Sequence, residues 1–197
     1  MFILKLTEKN LNSVAKIAGG FIKKGKIVVC PTDTVYGLVC DATNKKAVDK
    51  IFKIKGRPKT KPIPVFVKDI KTASKIAKIN KNQLKFLRKK WPGKFTAILK
   101  RRGKKKLYGI DKKTIAIRIP RYKLIGFLFE IINFPLAETS VNISGQPSLD
   151  DLRKIILQFE KEKLKPDLII DAGKLKFNKP SAVVDLTGKK YTILRKG

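Results

Sequence analysis

Apolar residues in this chain never run far before a charged or polar residue, a proline or a glycine stops them. Lys26-Ile-Val-Val-Cys30 ends at Pro31, and Ile63-Pro-Val-Phe-Val67, Phe95-Thr-Ala-Ile-Leu99, Thr114-Ile-Ala-Ile-Arg118, Leu168-Ile-Ile170 and Ala182-Val-Val184 are equally short. Runs of this length, rich in β-branched residues, suit strands buried in a sheet. None approaches the ~18–20 uninterrupted apolar residues of a membrane-spanning helix, so a soluble protein with no membrane partner is expected. Between the runs, apolar residues recur at helical spacing: Leu11, Val14, Ala18, Phe21 and Ile22 predict a helix over 10–24,. Positions 47, 48, 51 and 52 predict another over 44–55, capped by Asn44,. Further helices are expected over 70–78, 81–90, 124–132 and 149–159, the last begun by Ser148 or Asp150, and further strands over 135–139 and 191–194. Helices and strands alternate, yet several strands follow one another directly, so a mixed α/β sheet is expected over a purely parallel one. At roughly 150 residues per domain, 197 residues predict a single domain, 1–197.

The side chains that are missing narrow the chemistry. There is no histidine, and Cys30 and Cys40 are the only cysteines, which excludes a His-based triad, a His-ligated metal and a four-cysteine zinc site. The opening MFILKLTEKN lacks a secretory signal,, so reduced structural thiols and a cytoplasmic location are expected. Lys and Arg number 47 against 15 Asp and Glu, a net charge of +32, while a hydrophobic fraction of 43% is too high for a disordered basic tail,. Two readings of the charge stand side by side. A Lys- and Ile-rich codon bias raises it without selecting a partner, and contact with a polyanion uses it to steer phosphates. The densest run, Lys100-Arg101-Arg102-Gly103-Lys104-Lys105-Lys106, has no interleaved aromatic to stack bases and resembles a solvated loop,.

Two motifs are decoys. Gly20-Phe-Ile-Lys-Lys-Gly25-Lys26 spells most of a phosphate loop, but Ile27 stands where a hydroxyl is needed, and the segment leaves a helix to enter a strand,. Asn142-Ile143-Ser144 spells a glycosylation sequon in a chain without a secretory signal,. Three other segments carry more polar residues and glycines than turns require. Pro31-Thr-Asp-Thr-Val-Tyr-Gly-Leu38 follows a buried strand and is either a ligand loop or an Asx/ST turn that ends the strand. Lys55-Gly56-Arg57-Pro58, with Lys61 after it, projects two cations from one turn, able to straddle a phosphate chain,. In Ser140-Val-Asn142-Ile-Ser144, period-2 alternation sets three polar side chains on one side of an extended segment,. That array either holds phosphate and ribose oxygens or is a polar strand end leading to a helix cap.

In order along the chain, Pro-Thr-Asp-Thr-Val-Tyr-Gly-Leu, Lys-Gly-Arg-Pro, Trp91-Pro92-Gly93-x-x-Thr96, Ile115-Ala-Ile-Arg118, Ser140-x-Asn142-x-Ser144-Gly145, Ser181-Ala-Val-Val-Asp185 and Ile193-Leu-Arg195 closely resemble the YrdC/TsaC family of threonylcarbamoyl-AMP synthases. The resemblance runs nearly end to end and matches the short, single-domain form. It implies an α/β fold, a twisted mixed sheet flanked by helices around a concave basic cleft. It also implies a nucleotidyltransferase that makes threonylcarbamoyl-AMP and pyrophosphate from L-threonine, bicarbonate or CO2, and ATP, toward t6A at tRNA position 37, with a t6A transferase complex downstream. By the same resemblance Lys55, Arg57, Ser140 and Asn142 are catalytic and contact nucleotide phosphates, Lys61, Thr114 and Arg195 are further ATP-side residues, and Thr34, Arg118 and Ser181 hold threonine. Mg2+ would arrive on ATP, without a protein metal site or prosthetic group.

The residue types fit that chemistry, because fixed cations and backbone donors stabilise charge in phosphoryl transfer without a covalent nucleophile. Arg118, on a strand otherwise of Ile and Ala, is expected to clamp the substrate carboxylate in preference to a salt bridge with a nearby Asp. Trp91 and Phe95 are expected to pack and not to stack adenine. Asp33 stands where the family commonly has Glu, Val141 where Ala is usual, and Glu138 where a small residue or Pro is usual. A Glu138 side chain facing the cleft would oppose anion binding. The alternative to the synthase is a binding protein for tRNA or double-stranded RNA, or a ribosome-maturation factor, on the same fold and without synthase activity.

Overall fold

The computed structural model describes residues 1–103, 106–149, 151–160, 162–175 and 179–197. Asp150, one of the two expected helix starters, and Lys104 and Lys105 of the basic run lie outside the described residues. Strand β1 (Phe2–Lys5) and a short 3-10 turn (Glu8–Asn10) lead into helix α1 (Leu11–Lys23), whose Val14, Ala15, Ala18 and Ile22 form its buried stripe. After β2 (Val28–Cys30) and β3 (Gly37–Asp41) comes α2 (Lys45–Lys55). Asn44 caps α2 by accepting a 3.1 Å hydrogen bond from the Ala47 amide, and Gly56, left-handed at φ 58°, ends it,.

Then follow β4 (Val65–Phe66), α3 (Ile70–Ile76) and α4 (Lys81–Lys90). Pro62 and Pro64 have no amide to give a ladder, which shortens β4 relative to the run 63–67,. Next are β5 (Phe95–Lys100), β6 (Thr114–Arg118), α5 (Lys123–Ile131) and β7 (Leu136–Ser140). The chain closes with α6 (Leu152–Glu160), β8 (Leu168–Asp171), β9 (Ala182–Asp185) and β10 (Thr192–Arg195).

All ten strands join one sheet in the order β1-β8-β2-β3-β7-β4-β6-β5-β9-β10. The ladders β1/β8, β2/β8, β4/β6 and β5/β9 are parallel and the others antiparallel, so the sheet is mixed as expected. Two strands were not expected. β1 is a mostly exposed edge strand, and β3 begins inside the segment read as a polar loop, which reduces the loop to 31–36 and makes β2–β3 a hairpin.

Each face of the sheet has its own apolar cluster. One face packs Val29, Leu38, Val65, Ala97, Ile117 and Ala137 beneath α2, α3, α4 and α6. The other packs Val28, Cys30, Val39, Phe66, Leu136 and Leu168 beneath α1 and α5. Both cysteines are free and buried, and burial raises both thiols well above their ordinary range. Beyond Phe66 and Leu136 the second face changes character. Thr96, Arg118, Glu138 and Ser181 are buried there in place of apolar side chains.

Gly109 shows how tightly the first face is closed. Its backbone is left-handed at φ 68°, its carbonyl accepts from Ile63, and a Cβ on it would stand 2.8 Å from Val48 and 3.0 Å from Phe52. Gly109→Ala should therefore lower stability by about 2 kcal/mol through combined strain and overpacking. Urea unfolding checks this as a lower midpoint with an unchanged slope.

Candidate functional site: a polar cleft at the end of the helical layer

Lys55 is the last residue of α2, and it does not project from a turn as the sequence suggested. Its side chain is buried, 2% exposed, beside the end of β7. The ammonium donates to the Ser140 carbonyl (2.6 Å), the Asn142 carbonyl (2.8 Å) and Asn142 Oδ1 (3.0 Å), using its three donors on three acceptors,. The Lys55 carbonyl in turn accepts from the Ser144 amide at 2.8 Å. Burial and the nearby Arg57 charge pull the ammonium down to about 8, against the opposing field of Glu138. The three acceptors favour the protonated form.

Asn142 is the centre of the same network. Its Oδ1 accepts from Lys55 and from Ser140 Oγ (2.6 Å), and its Nδ2 donates to the carbonyls of Ile143 (3.0 Å) and Gln146 (2.6 Å). Ser140, Asn142 and Ser144 therefore do not line one side of an extended segment. The chain bends after Ser140 and turns over Ile143–Gln146, with Gly145 at φ 92°, because Lys55 gathers its carbonyls inward. Arg57 is half-buried. Its Nε and Nη2 donate to the Lys61 and Pro62 carbonyls, and burial lowers its affinity for the proton. Three of its five N–H groups make no bond among the described residues. Lys61 is exposed.

Arg118, at the end of β6, is 3% exposed and lies 5.5 Å from the centre of the Phe66 ring. Its partners are Gly93 O (3.2 Å from Nε), Thr34 Oγ1 (3.0 Å from Nη1) and Asp33 Oδ1 (2.6 Å from Nη2). This corrects the expectation of an Asp-free clamp. A guanidinium this deeply buried requires a countercharge, and the Asp33 carboxylate supplies it while also accepting from the Arg121 amide. Three of the five N–H groups are used, leaving two. Thr34 is held by Thr32, whose hydroxyl lies 3.0 Å from that of Thr34 and accepts from its amide at 3.1 Å.

Ser181, just before β9, lies 2.8 Å from the Thr96 hydroxyl, and Arg195 on β10 donates to its carbonyl at 3.0 Å. The Arg195 proton affinity is lowered by burial, raised by the Glu138 charge and lowered by that of Arg118. Glu138 joins the two groups. Burial pushes its carboxyl up to about 6, opposed by Arg118, Lys55 and Arg195 and assisted by Asp33. It lies over Gly37, where a Cβ would stand 2.7 Å from Oε1. Glu138 thus faces the cleft, and sequence reasoning that flagged it could not orient it.

Thr34, Lys55, Arg118, Ser140, Asn142, Ser181 and Arg195 are brought together around Glu138. Thr114 is not gathered with them. It opens β6, about 13 Å of strand rise from Arg118, and its hydroxyl donates to Asp111 at 3.0 Å. Sequence reasoning quoted Thr96 in a motif without giving it a site role and ranked an Asp salt bridge to Arg118 below the carboxylate clamp; the Asp33–Arg118 pair joins positions 85 apart and leaves no local signal. Trp91 packs in the core, its indole donating to the Phe95 carbonyl. Among the described residues no cluster of three metal-ligating side chains occurs.

The mixed α/β sheet thus brings together buried cations, a bent Ser-x-Asn loop and paired hydroxyls. The chain belongs to the Sua5/YciO/YrdC family: the family model, described as "Telomere recombination", matches residues 20–197. It is 37% identical over 202 residues to a putative threonylcarbamoyl-AMP synthase of Methanocaldococcus jannaschii, covering 99% of this chain and 91% of that one. It is 34% identical to the threonylcarbamoyl-AMP synthase of Pyrococcus abyssi, again over 99% of this chain, but spans 57% of that relative. The structure of P. abyssi Sua5 complexed with L-threonine superposes with a TM-score of 0.87 at 32% identity, covering 99% of this chain and 57% of that one.

Lys55→Met should cost about 3 kcal/mol, because it strands three buried acceptors; chemical denaturation of the two proteins measures it. Glu138 has the opposite effect. Its folded value lies above the ordinary carboxyl, so the folded state binds the extra proton and stability falls as pH rises from about 4.5 to about 6,. The loss amounts to about 2 kcal/mol. Unfolding free energies across that range should show the fall in the wild type and lack it in Glu138→Gln.

Proposed function

We infer that this chain is a threonylcarbamoyl-AMP synthase, condensing L-threonine, bicarbonate or CO2, and ATP into threonylcarbamoyl-AMP and pyrophosphate for t6A formation in tRNA. The observation that carries the reading is the meeting, in one cleft, of Arg118, Thr34 and Ser181 with the bent Ser140–Asn142 loop. It is supported by relatives of that name along 99% of the chain. Arg118 meets the threonine carboxylate with its two remaining N–H groups, beside the Thr34 and Ser181 hydroxyls. Arg57, Lys61, Arg195 and Ser140 face the nucleotide. Lys55 and Asn142 act as positioning residues, because every donor and acceptor they carry is spent on shaping the loop.

In this reading a carbamate oxygen attacks the α-phosphorus in line and pyrophosphate departs, so the protein's work is alignment and neutralisation of growing negative charge. Mg2+ travels with the triphosphate and adds countercharge there. Thr114 has no role in this arrangement. An RNA-binding protein on the same fold is the alternative. It is supported by a basic depression of about 1090 Å³ lined by Lys78, Lys100, Arg102 and Lys189, beside the stacked rings of Phe86 and Tyr191.

Purified protein given ATP and Mg2+ should release pyrophosphate only when L-threonine and bicarbonate are both present, and far less with serine. Arg118→Lys should raise the KM for threonine by at least about tenfold, since a lysine cannot reproduce the fork. No release from folded protein, with salt-sensitive tRNA binding, leaves the RNA reading in its place.

A further inference from the structure

Glu138 is a buried carboxylate of the cleft that has no hydrogen-bond partner among the described residues. It is 8% exposed, and among the described residues its carboxylate makes no hydrogen bond and no ion pair within 4 Å. The cations around it feel its field, but each has hydrogen-bond partners of its own. Arg118 has Asp33, Lys55 has three oxygens, and Arg195 has Ser181. Burying a carboxylate without partners costs free energy. Its position is also specific. Leu136 on β7 and Arg118 on β6 both register with Phe66 of the intervening β4, and Glu138 lies two residues further along β7, on the same face. The two strands are about 10 Å apart, and Glu138, whose amide donates to the Pro64 carbonyl, stands about 7 Å along the strand direction from the Arg118 level, so the carboxylate and the guanidinium are set apart on one face of the sheet,. The other carboxylate there, Asp33, is already spent on Arg118 and the Arg121 amide.

We propose that Glu138 receives the α-amino group of the amino-acid substrate and takes from it the proton that must leave before its nitrogen can bond to carbon. This rests on the synthase reading. Arg118 and Glu138 would then hold the two ends of the zwitterion. The step balances as follows. The substrate ammonium gives one proton to the Glu138 carboxylate and becomes a neutral amine. The amine lone pair forms the N–C bond to bicarbonate, the C–OH bond breaks, and the departing hydroxide takes a second proton from nitrogen, leaving as water. A carbamate remains. The groups facing Glu138 are Arg118 from β6, Lys55 from α2, Arg195 from β10, Asp33 from the loop after β2, and Cys30 from β2 itself. Burial outweighs the three cations and holds the carboxyl at about 6, nearer to the amine than an ordinary carboxyl and still ionised at pH 7.5,.

The test compares L-threonine with 2,3-dihydroxybutanoate, which keeps the carboxylate and side-chain hydroxyl and replaces the amine by a hydroxyl. Calorimetric titration of the wild-type chain at pH 7.5 should give at least about tenfold tighter binding of threonine. In Glu138→Gln the preference should shrink to within about twofold, and threonine-dependent pyrophosphate release should fall about 100-fold. Should that variant fail to fold, the wild type alone decides. Its preference for threonine should collapse between pH 7.5 and pH 5 as Glu138 takes up a proton, while the ammonium stays charged. A preference that survives the substitution, or one unchanged across that pH range, overturns the proposal. If threonine binds with the expected preference but no pyrophosphate is released, the synthase reading fails while amine recognition by Glu138 stands. A wild type that does not bind threonine overturns both.

Discussion

One ammonium group ties a helix end to the loop that shapes the cleft. The Lys55 side chain leaves the end of a helix and is buried against the end of a strand, where three oxygens from residues 140 and 142 consume its hydrogens. Charge-assisted bonds of this kind are stronger than neutral ones, and inside a protein they tolerate no vacancy. Asn142 extends the constraint by spending both ends of its amide on the same loop. The loop's shape is thus set by a lysine more than eighty residues earlier. Arg57, Arg118 and Arg195 are cations whose N–H donors are only partly used within the protein.

The cleft exists because a helical layer stops. Helices α1 and α5 cover the second face of the sheet as far as Phe66 and Leu136. Past that line the alternation of strand side chains continues to point inward, but the residues it delivers are Glu138 on β7, Arg118 on β6 and Thr96 on β5. Buried polar groups need partners, and the loop between β2 and β3 supplies several of them through Thr34 and Asp33. The sheet therefore has one largely apolar face and one divided between apolar and polar residues.

Local rules were enough for most of the frame. Asn44 and Gly56 mark both ends of α2, the Asn80–Gln83 capping box starts α4, and the short β-branched runs became strands. Strand β1 escaped because its side chains are mostly exposed and β8 alone holds it, and β3 because its first residue is a glycine inside a polar stretch. The ordered motifs located the cleft, but not how its residues are used. Lys55 looked like an open cation because a sequence does not display burial. Arg118 looked unpaired because Asp33 is its neighbour only after β2, β3, β7 and β4 have assembled between them. Thr114 sits on the correct strand but at its other end. These are all properties of pairs distant in sequence, whereas propensity and periodicity describe neighbours.

The order of strands also bears on how the chain comes to be made. β8, from the final third, inserts between β1 and β2, and β9 attaches to β5 only after all the helices have been synthesised. Until residue 171 has left the ribosome, the edge of β2 has no partner and the first strand has nothing to hold it. Pairings this distant are slow to close, because the loop entropy must be met before any contact rewards it. A growing chain of this kind spends its synthesis with an open, apolar sheet edge. A net charge of +32 makes like chains repel one another,.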